Sequence, residues 1–211
     1  MSLDQTVPSR REFLAATASL PAALLTRPES PARVAPGIQV LETTTISLDE
    51  QHYHGWPTIA RRRNGQLLAV CSGGREQHVC PFGRVDLYVS NDDGRSWGWP
   101  RTLLDSDIDD RDAGVLETAR GTLIVTTFTS LAYEPHLAAA QKEGQWDAGR
   151  LRRWQSAHRR LTADQRQAEL GQWAIRSTDG GRTWSPSYSS LVNSPHGPIQ
   201  LGNGSLLYVG K

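Results

Sequence analysis

One eight-residue turn is written twice in this chain, and a turn that recurs together with its flanking segments narrows the fold more than any bulk property. "VSNDDGRSWGWP" (89–100) and "RSTDGGRTWSP" (176–186) share the pattern Ser-x-Asp-x-Gly-x-Ser/Thr-Trp. The first copy carries Ser90, Asp92, Gly94, Ser96 and Trp97; the second carries Ser177, Asp179, Gly181, Thr183 and Trp184. Hairpin signals recur around them. "TIARRRNGQLLAV" (58–70), "VLETARGTLIVTTF" (115–128) and "PIQLGNGSLLYVG" (198–210) each place a glycine-containing turn between two strand-length apolar runs. The first two hairpins are each followed by a third run, "GRVDLYVS" or "GQWAIRS", that leads into the repeated turn. The unit is therefore four strands, A to D, with the repeated turn joining C to D. A repeated four-stranded antiparallel unit predicts an all-β chain of the β-propeller type.

Composition agrees. Nineteen glycines, twelve prolines and seven tryptophans in 211 residues favour a turn-rich β protein over a helical bundle. A net charge of +1 gives no basic footprint for nucleic acid. Beyond the N-terminus no apolar run is long enough to span a membrane. The N-terminal "SRREFLAATASLPAALL" (9–25) sets Arg10 and Arg11 before Phe13-Leu14 and a mildly apolar stretch. It resembles a twin-arginine export signal, so residues 1–36 are read as a signal peptide and linker, and the protein as exported to the periplasm or beyond. A short amphipathic helix with two incidental arginines is the alternative. Export would permit a Cys71–Cys80 bridge; two free thiols are the other reading.

Two features break the repeat. The B-to-C connection of the second unit, between Ser130 and Gln172, far exceeds a hairpin loop. Leu151, Trp154, His158 and Leu161 recur there at helical spacing, and "TADQ" (162–165) has capping-box form. A helical insertion over about 134–170 is expected. Its arginines, at 150, 152, 153, 159, 160 and 166, read as a solvated helix face or as an anion site. The third unit reaches only its strand B before Lys211. Propellers close with about four to eight blades, so roughly two and a half blades are expected to belong to a longer ring or to self-associate through an open edge.

In such a fold the innermost A strands converge on a funnel. "HYHGWP" (52–57), "DIDDRDAG" (107–114) and "NSPHGP" (193–198) precede those strands, and "CSGGREQHVCPFG" (71–83) forms the first B–C turn. These loops offer His54, Arg75, Glu76, His78, Arg111, Asp112 and His196, a mixture of cations, carboxylates and imidazoles suited to a polar substrate. The alternative is structural: Arg111 and Asp112 pair between blades and His196 caps a strand. No metal-ligand spacing and no cofactor motif is evident.

The repeated turns and the "PTIA…NGQLLA…GR" run resemble the sialidase superfamily from about residue 40 onward. That resemblance implies a six-bladed catalytic propeller and removal of a terminal, acidic sugar from a glycan, with exo-α-sialidase the nearest activity. It makes both turns Asp-boxes, structural rather than catalytic, with their tryptophans packed between blade layers. The family grips a substrate carboxylate with three arginines. The first falls at Gly55 here and is missing. Arg75 after Gly74 holds a later arginine position, and the 76–82 loop has no aspartate where the family places its acid/base. Glu76, His78 and Asp112 are thus the catalytic candidates, and His54, Arg75, Arg111 and His196 the substrate-binding ones. The tyrosine nucleophile would come from later blades. Gly55 and Arg111 each lie ten residues before a turn glycine, Gly65 and Gly121, so the anion grip is expected to have moved from the first blade to the second. A glycan-binding propeller without catalysis is the alternative function.

Overall fold

A computed structural model of the chain describes residues 37–47 and 49–211. The arginine pair and the rest of the signal-type segment lie outside the described residues. Every element below belongs to the unit Thr44–Lys211.

β1 (Tyr53–Arg61), β2 (Leu67–Arg75), β3 (Arg84–Ser90) and β4 (Arg101–Leu104) form one antiparallel sheet in chain order. β5 (Asp109–Glu117), β6 (Leu123–Ser130), β7 (Gln172–Ser177) and β8 (Tyr188–Ser189) form a second of the same design. β9 (Ile199–Gln200) and β10 (Leu206–Leu207) begin a third. The chain is thus mostly β, built from antiparallel sheets; among the described residues these do not close into a ring. Three helices, α1 (Glu134–Glu143), α2 (Ala148–Arg159) and α3 (Ala163–Ala168), fill the β6–β7 connection. α3 starts with the capping box expected of "TADQ": Thr162 and Gln165 satisfy each other's backbone N–H groups.

The sheets repeat down to their irregularities. In each hairpin the turn glycine donates to the carbonyl three residues back: Gly65 to Arg62, Gly121 to Thr118 and Gly204 to Leu201. β1 loses register between Gly55 and Thr58, and β5 between Arg111 and Gly114. Trp56 and Asp112, at the matching bulge positions, both adopt left-handed φ, 50° and 51°. Gly55 and Arg111 are therefore equivalent in three dimensions as well as by count.

The two full sheets pack face to face. Leu68, Val70, Val85 and Leu87 of the first meet Ala113, Val115, Leu123, Val125 and Ile175 of the second. β2 is buried on both faces: its alternate residues Ala69 and Cys71 pack with Tyr88, Trp97 and Ile46 on the other side. A third cluster joins Cys80 in the loop after β2 to Tyr133, Leu137 and Trp154 of the insertion. Cys71 and Cys80 thus lie in separate clusters as free, buried thiols, which settles the question of a bridge against it. Burial pushes the Cys71 thiol up to about 12.

Both repeated turns are internally bonded. Asp92 accepts from the Ser90 hydroxyl at 2.8 Å, the Ser96 backbone N–H at 2.8 Å and the Ser96 hydroxyl at 2.5 Å. Asp179 accepts from Ser177, Arg182 and Thr183 in the same way. Ser90 and Ser177 accept from the backbone N–H of Gly94 and Gly181. Trp184 packs against the core between the two sheets, whereas Trp97 packs on the far face of the first. Arg101 of β4 donates to the carbonyls of Gly181 and Arg182, so the second turn also fastens sheet to sheet. The Ser, Asp and Ser/Thr side chains of these turns are spent on the turn itself, whereas the buried Trp184 Nε1 has no partner among the described residues.

The third unit docks through Gly114. A side chain there would stand 2.4 Å from the Gly197 nitrogen, so only glycine lets the 193–198 loop approach β5 this closely. That contact brings His196 beside Thr58 in the middle of β1 and Gly114 in the middle of β5.

Candidate functional site

The bulges of β1 and β5 turn Trp56 and Arg111 toward each other. The Arg111 guanidinium lies over the Trp56 ring, 4.6 Å from its centroid. The Arg111 side chain is only 12% exposed, yet its nearest carboxylate oxygen, on Asp109, is 3.9 Å from Nε. Among the described residues the guanidinium makes no hydrogen bond, and Nε is buried without a partner. A buried cation with its donors unspent is equipped to grip an anion or a hydroxyl cluster.

Asp112 follows at the strained bulge position. Its Oδ1 is buried with no partner, and burial raises its carboxyl above the usual range despite the opposing charges of Arg111, Arg75, His196 and His78. A carboxyl whose hold on its proton is strengthened by burial is better suited than an ordinary one to hand a proton to an oxygen bound there. The alternative, Arg111 paired with Asp112 as a simple fastener, is not what their atoms do.

His196 completes this side. Thr58 spends its hydroxyl proton on the Ala113 carbonyl at 2.9 Å, so it accepts from His196 Nδ1 at 2.8 Å. In the neutral ring Nε2 then keeps its lone pair. Opposite stands an aromatic wall. Trp56 is tilted against the His78 ring at 4.8 Å, and Tyr53 Oη meets His78 Nδ1 at 3.3 Å. The Tyr53 ring lies across Gly55, where any side chain would come within 2.9 Å of it. The position where the resemblance to sialidases would place an arginine is therefore roofed by a tyrosine.

Three expected site residues are placed differently. Arg75 is fully buried, and its two terminal nitrogens are committed: Nη1 and Nη2 grip Asp109 at 2.6 and 2.9 Å, with further bonds to Ser72 Oγ and the carbonyls of Asp110 and His78, while its buried Nε has no partner among the described residues. It frames the site from beneath and offers nothing to a ligand. Glu76 points to the insertion, where it accepts from Arg153 Nε and, at 2.9 Å, from Trp154 Nε1. Burial would lift its carboxyl, but these two donors win and hold it below the usual range. A carboxylate so stabilised is a poor proton donor at neutral pH. His54 faces away: its nitrogens meet Ser47 Oγ and the His52 carbonyl, and its ring lies edge-on to Tyr88. There it lines a cavity of about 480 Å³ with Asp49, Tyr88 and Trp97, on the far side of the first sheet.

The arrangement thus brings together Arg111, Asp112, His78 and His196 and adds Tyr53 and Trp56, which the sequence reading passed over. The insertion's arginines are mostly paired or stacked: Arg150 on Trp146, Arg153 with Glu76, Arg160 with Asp107, and Arg166 with Glu134. Among the described residues no cluster of acidic, histidine or cysteine side chains could hold a metal ion.

No protein-family model matches the sequence, and no curated protein matches it. Solved structures do. A protein of unknown function from Dyadobacter fermentans superposes over 82% of this chain and 50% of its own, with 17% identity and a TM-score of 0.55. A Hadza microbial sialidase superposes over 74% of this chain and 31% of its own, with 16% identity and a TM-score of 0.51. The fold is therefore shared, distantly, with a sialidase, and the chain spans half the length of the first relative and under a third of the second.

Proposed function

We propose that this chain is part of an exported, sialidase-like glycoside hydrolase acting on a terminal acidic sugar, with a six-bladed propeller as the complete fold. The observation that carries the reading is Arg111: a nearly buried guanidinium with unspent donors, stacked on Trp56 and flanked by the protonatable Asp112. An anionic pyranose has the matching chemistry. Its carboxylate pairs with Arg111, its hydroxyls meet Asp112 and His196, and its apolar ring face meets the aromatic wall. Asp112 would protonate the leaving oxygen, with His78 as the second proton-handling group. The nucleophile would come from blades beyond the described sheets. The distant structural likeness to a sialidase supports this reading at the level of fold.

A second reading is a glycan-binding propeller without catalysis. Glu76, one of the few groups available where the family places its acid/base, is bound to the insertion, which favours this alternative. Arg111→Ala separates both readings from a purely structural cluster. It should weaken binding of an acidic sugar by about 1.5–3 kcal/mol, the range for a lost charge-assisted bond. Arg120→Ala, at the exposed β5–β6 turn, should change nothing. Calorimetry showing equal effects, or none, would remove the sugar site. Turnover of an aryl sialoside then decides between hydrolase and binder.

Export is the remaining part of the proposal, supported by the Arg10-Arg11 motif alone. Changing both arginines to lysine should strand a reporter fusion in the cytoplasm. Normal delivery of that variant to the periplasm would refute it.

A further inference from the structure

We propose that Glu76 is a positioning residue through which the helical insertion of the second sheet sets His78 in the site of the first. The inference rests on the sugar-site reading above for its functional meaning but not for its geometry. The loop after β2 is held from two sides. From the insertion, Arg153 and Trp154 donate to the two oxygens of Glu76, Arg150 donates to the Gln77 side chain, and Val79, Cys80 and Phe82 enter the cluster around Trp154 and Tyr133. From beneath, buried Arg75 donates to the His78 carbonyl at 2.9 Å. His78 is the exposed residue between these two anchors, and its ring is thereby delivered against Trp56 and Tyr53.

The chemistry of the anchor fits a fixed support. A carboxylate that accepts a guanidinium N–H and an indole N–H, one on each oxygen, has its orientation determined by both donors. Trp154 is fully buried, so its indole N–H cannot swing to another partner without disturbing the cluster. Movement of Glu76 would therefore release the loop from its outer side, and His78 is two residues away. The insertion acts as a buttress for one wall of the site. Arg150 and Arg153 serve that wall rather than forming a separate anion site.

The test follows the His78 imidazole by heteronuclear NMR, with His78→Gln identifying its resonances among the six histidines. Glu76→Ala, and Trp154→Phe, which keeps an aromatic ring in the core but removes the N–H, should shift or broaden those resonances. Both should weaken binding of methyl α-sialoside by about tenfold, as expected when a positioned hydrogen-bonding group is loosened. Glu76→Gln keeps an acceptor for one donor and should fall between Glu76→Ala and the parent. His78 resonances unmoved in both Glu76→Ala and Trp154→Phe would overturn the proposal. So would a Glu76→Gln variant that loses turnover completely with His78 unmoved, since that marks a direct proton-transfer role. If methyl α-sialoside does not bind the parent protein, the sugar reading falls, and the His78 resonances still decide the positioning role.

Discussion

Arg75→Ala should destabilise the chain by about 3–5 kcal/mol in urea unfolding, the cost of stranding one charge of a buried pair. Asp109, itself fully buried, would lose both short bonds to the guanidinium and keep only Arg111 at 3.9 Å. Ser72 and the His78 carbonyl would lose their donor in the same step. Arg75→Lys should recover little, because a single ammonium cannot reproduce a planar fork that reaches five acceptor atoms. Arg61→Ala is the comparison. It cuts an ion pair to Asp93 in which both side chains are more than half exposed, and such pairs contribute little. Equal effects of Arg75→Ala and Arg61→Ala would show that the pair beneath the site is not its anchor.

Stability should be greatest near pH 4–5 and fall toward both neutral and strongly acid pH. Burial, together with the neighbouring charges of Asp109 and Asp105, pushes the Asp110 carboxyl up to about 7. A carboxyl whose folded value lies above its unfolded value of about 3.9 binds its proton more tightly when folded. Its contribution is therefore complete below pH 4 and is lost as pH rises through 7. At about 1.4 kcal/mol per pKa unit this amounts to a few kcal/mol between pH 4 and pH 8. The turn aspartates act in the other direction. Hydrogen bonds from Ser96 and Thr183 hold Asp92 and Asp179 below their ordinary range, so their contribution is present above pH 4 and lost below it. Thermal unfolding across this range should trace the maximum, and Asp110→Asn should flatten its neutral side. A parent protein most stable at pH 8 would contradict the burial argument.

The repeat made much of the fold legible because the turns that define it are local. Asp92 and Asp179 bond to groups within four residues, and the turn glycines to a carbonyl three residues back, so the residues that specify each turn also satisfy it. Strand alternation and helical spacing are local too, which is why antiparallel sheets and the helices of the insertion could be expected. The equivalence of Gly55 and Arg111 followed from counting to the next turn. The same count sets Trp56 beside Asp112, and strand alternation sets His54 on the face opposite Tyr53; both signals were available in the sequence. Partners were a different matter. Arg75 meets Asp109 34 residues away, and Glu76 meets Arg153 and Trp154 77 and 78 residues away. Whether an arginine is spent on a buried carboxylate, like Arg75, or left with open donors, like Arg111, depends on how two sheets and an insertion come together. Burial sets the desolvation and the available partners of each group, and only the assembled tertiary structure determines burial.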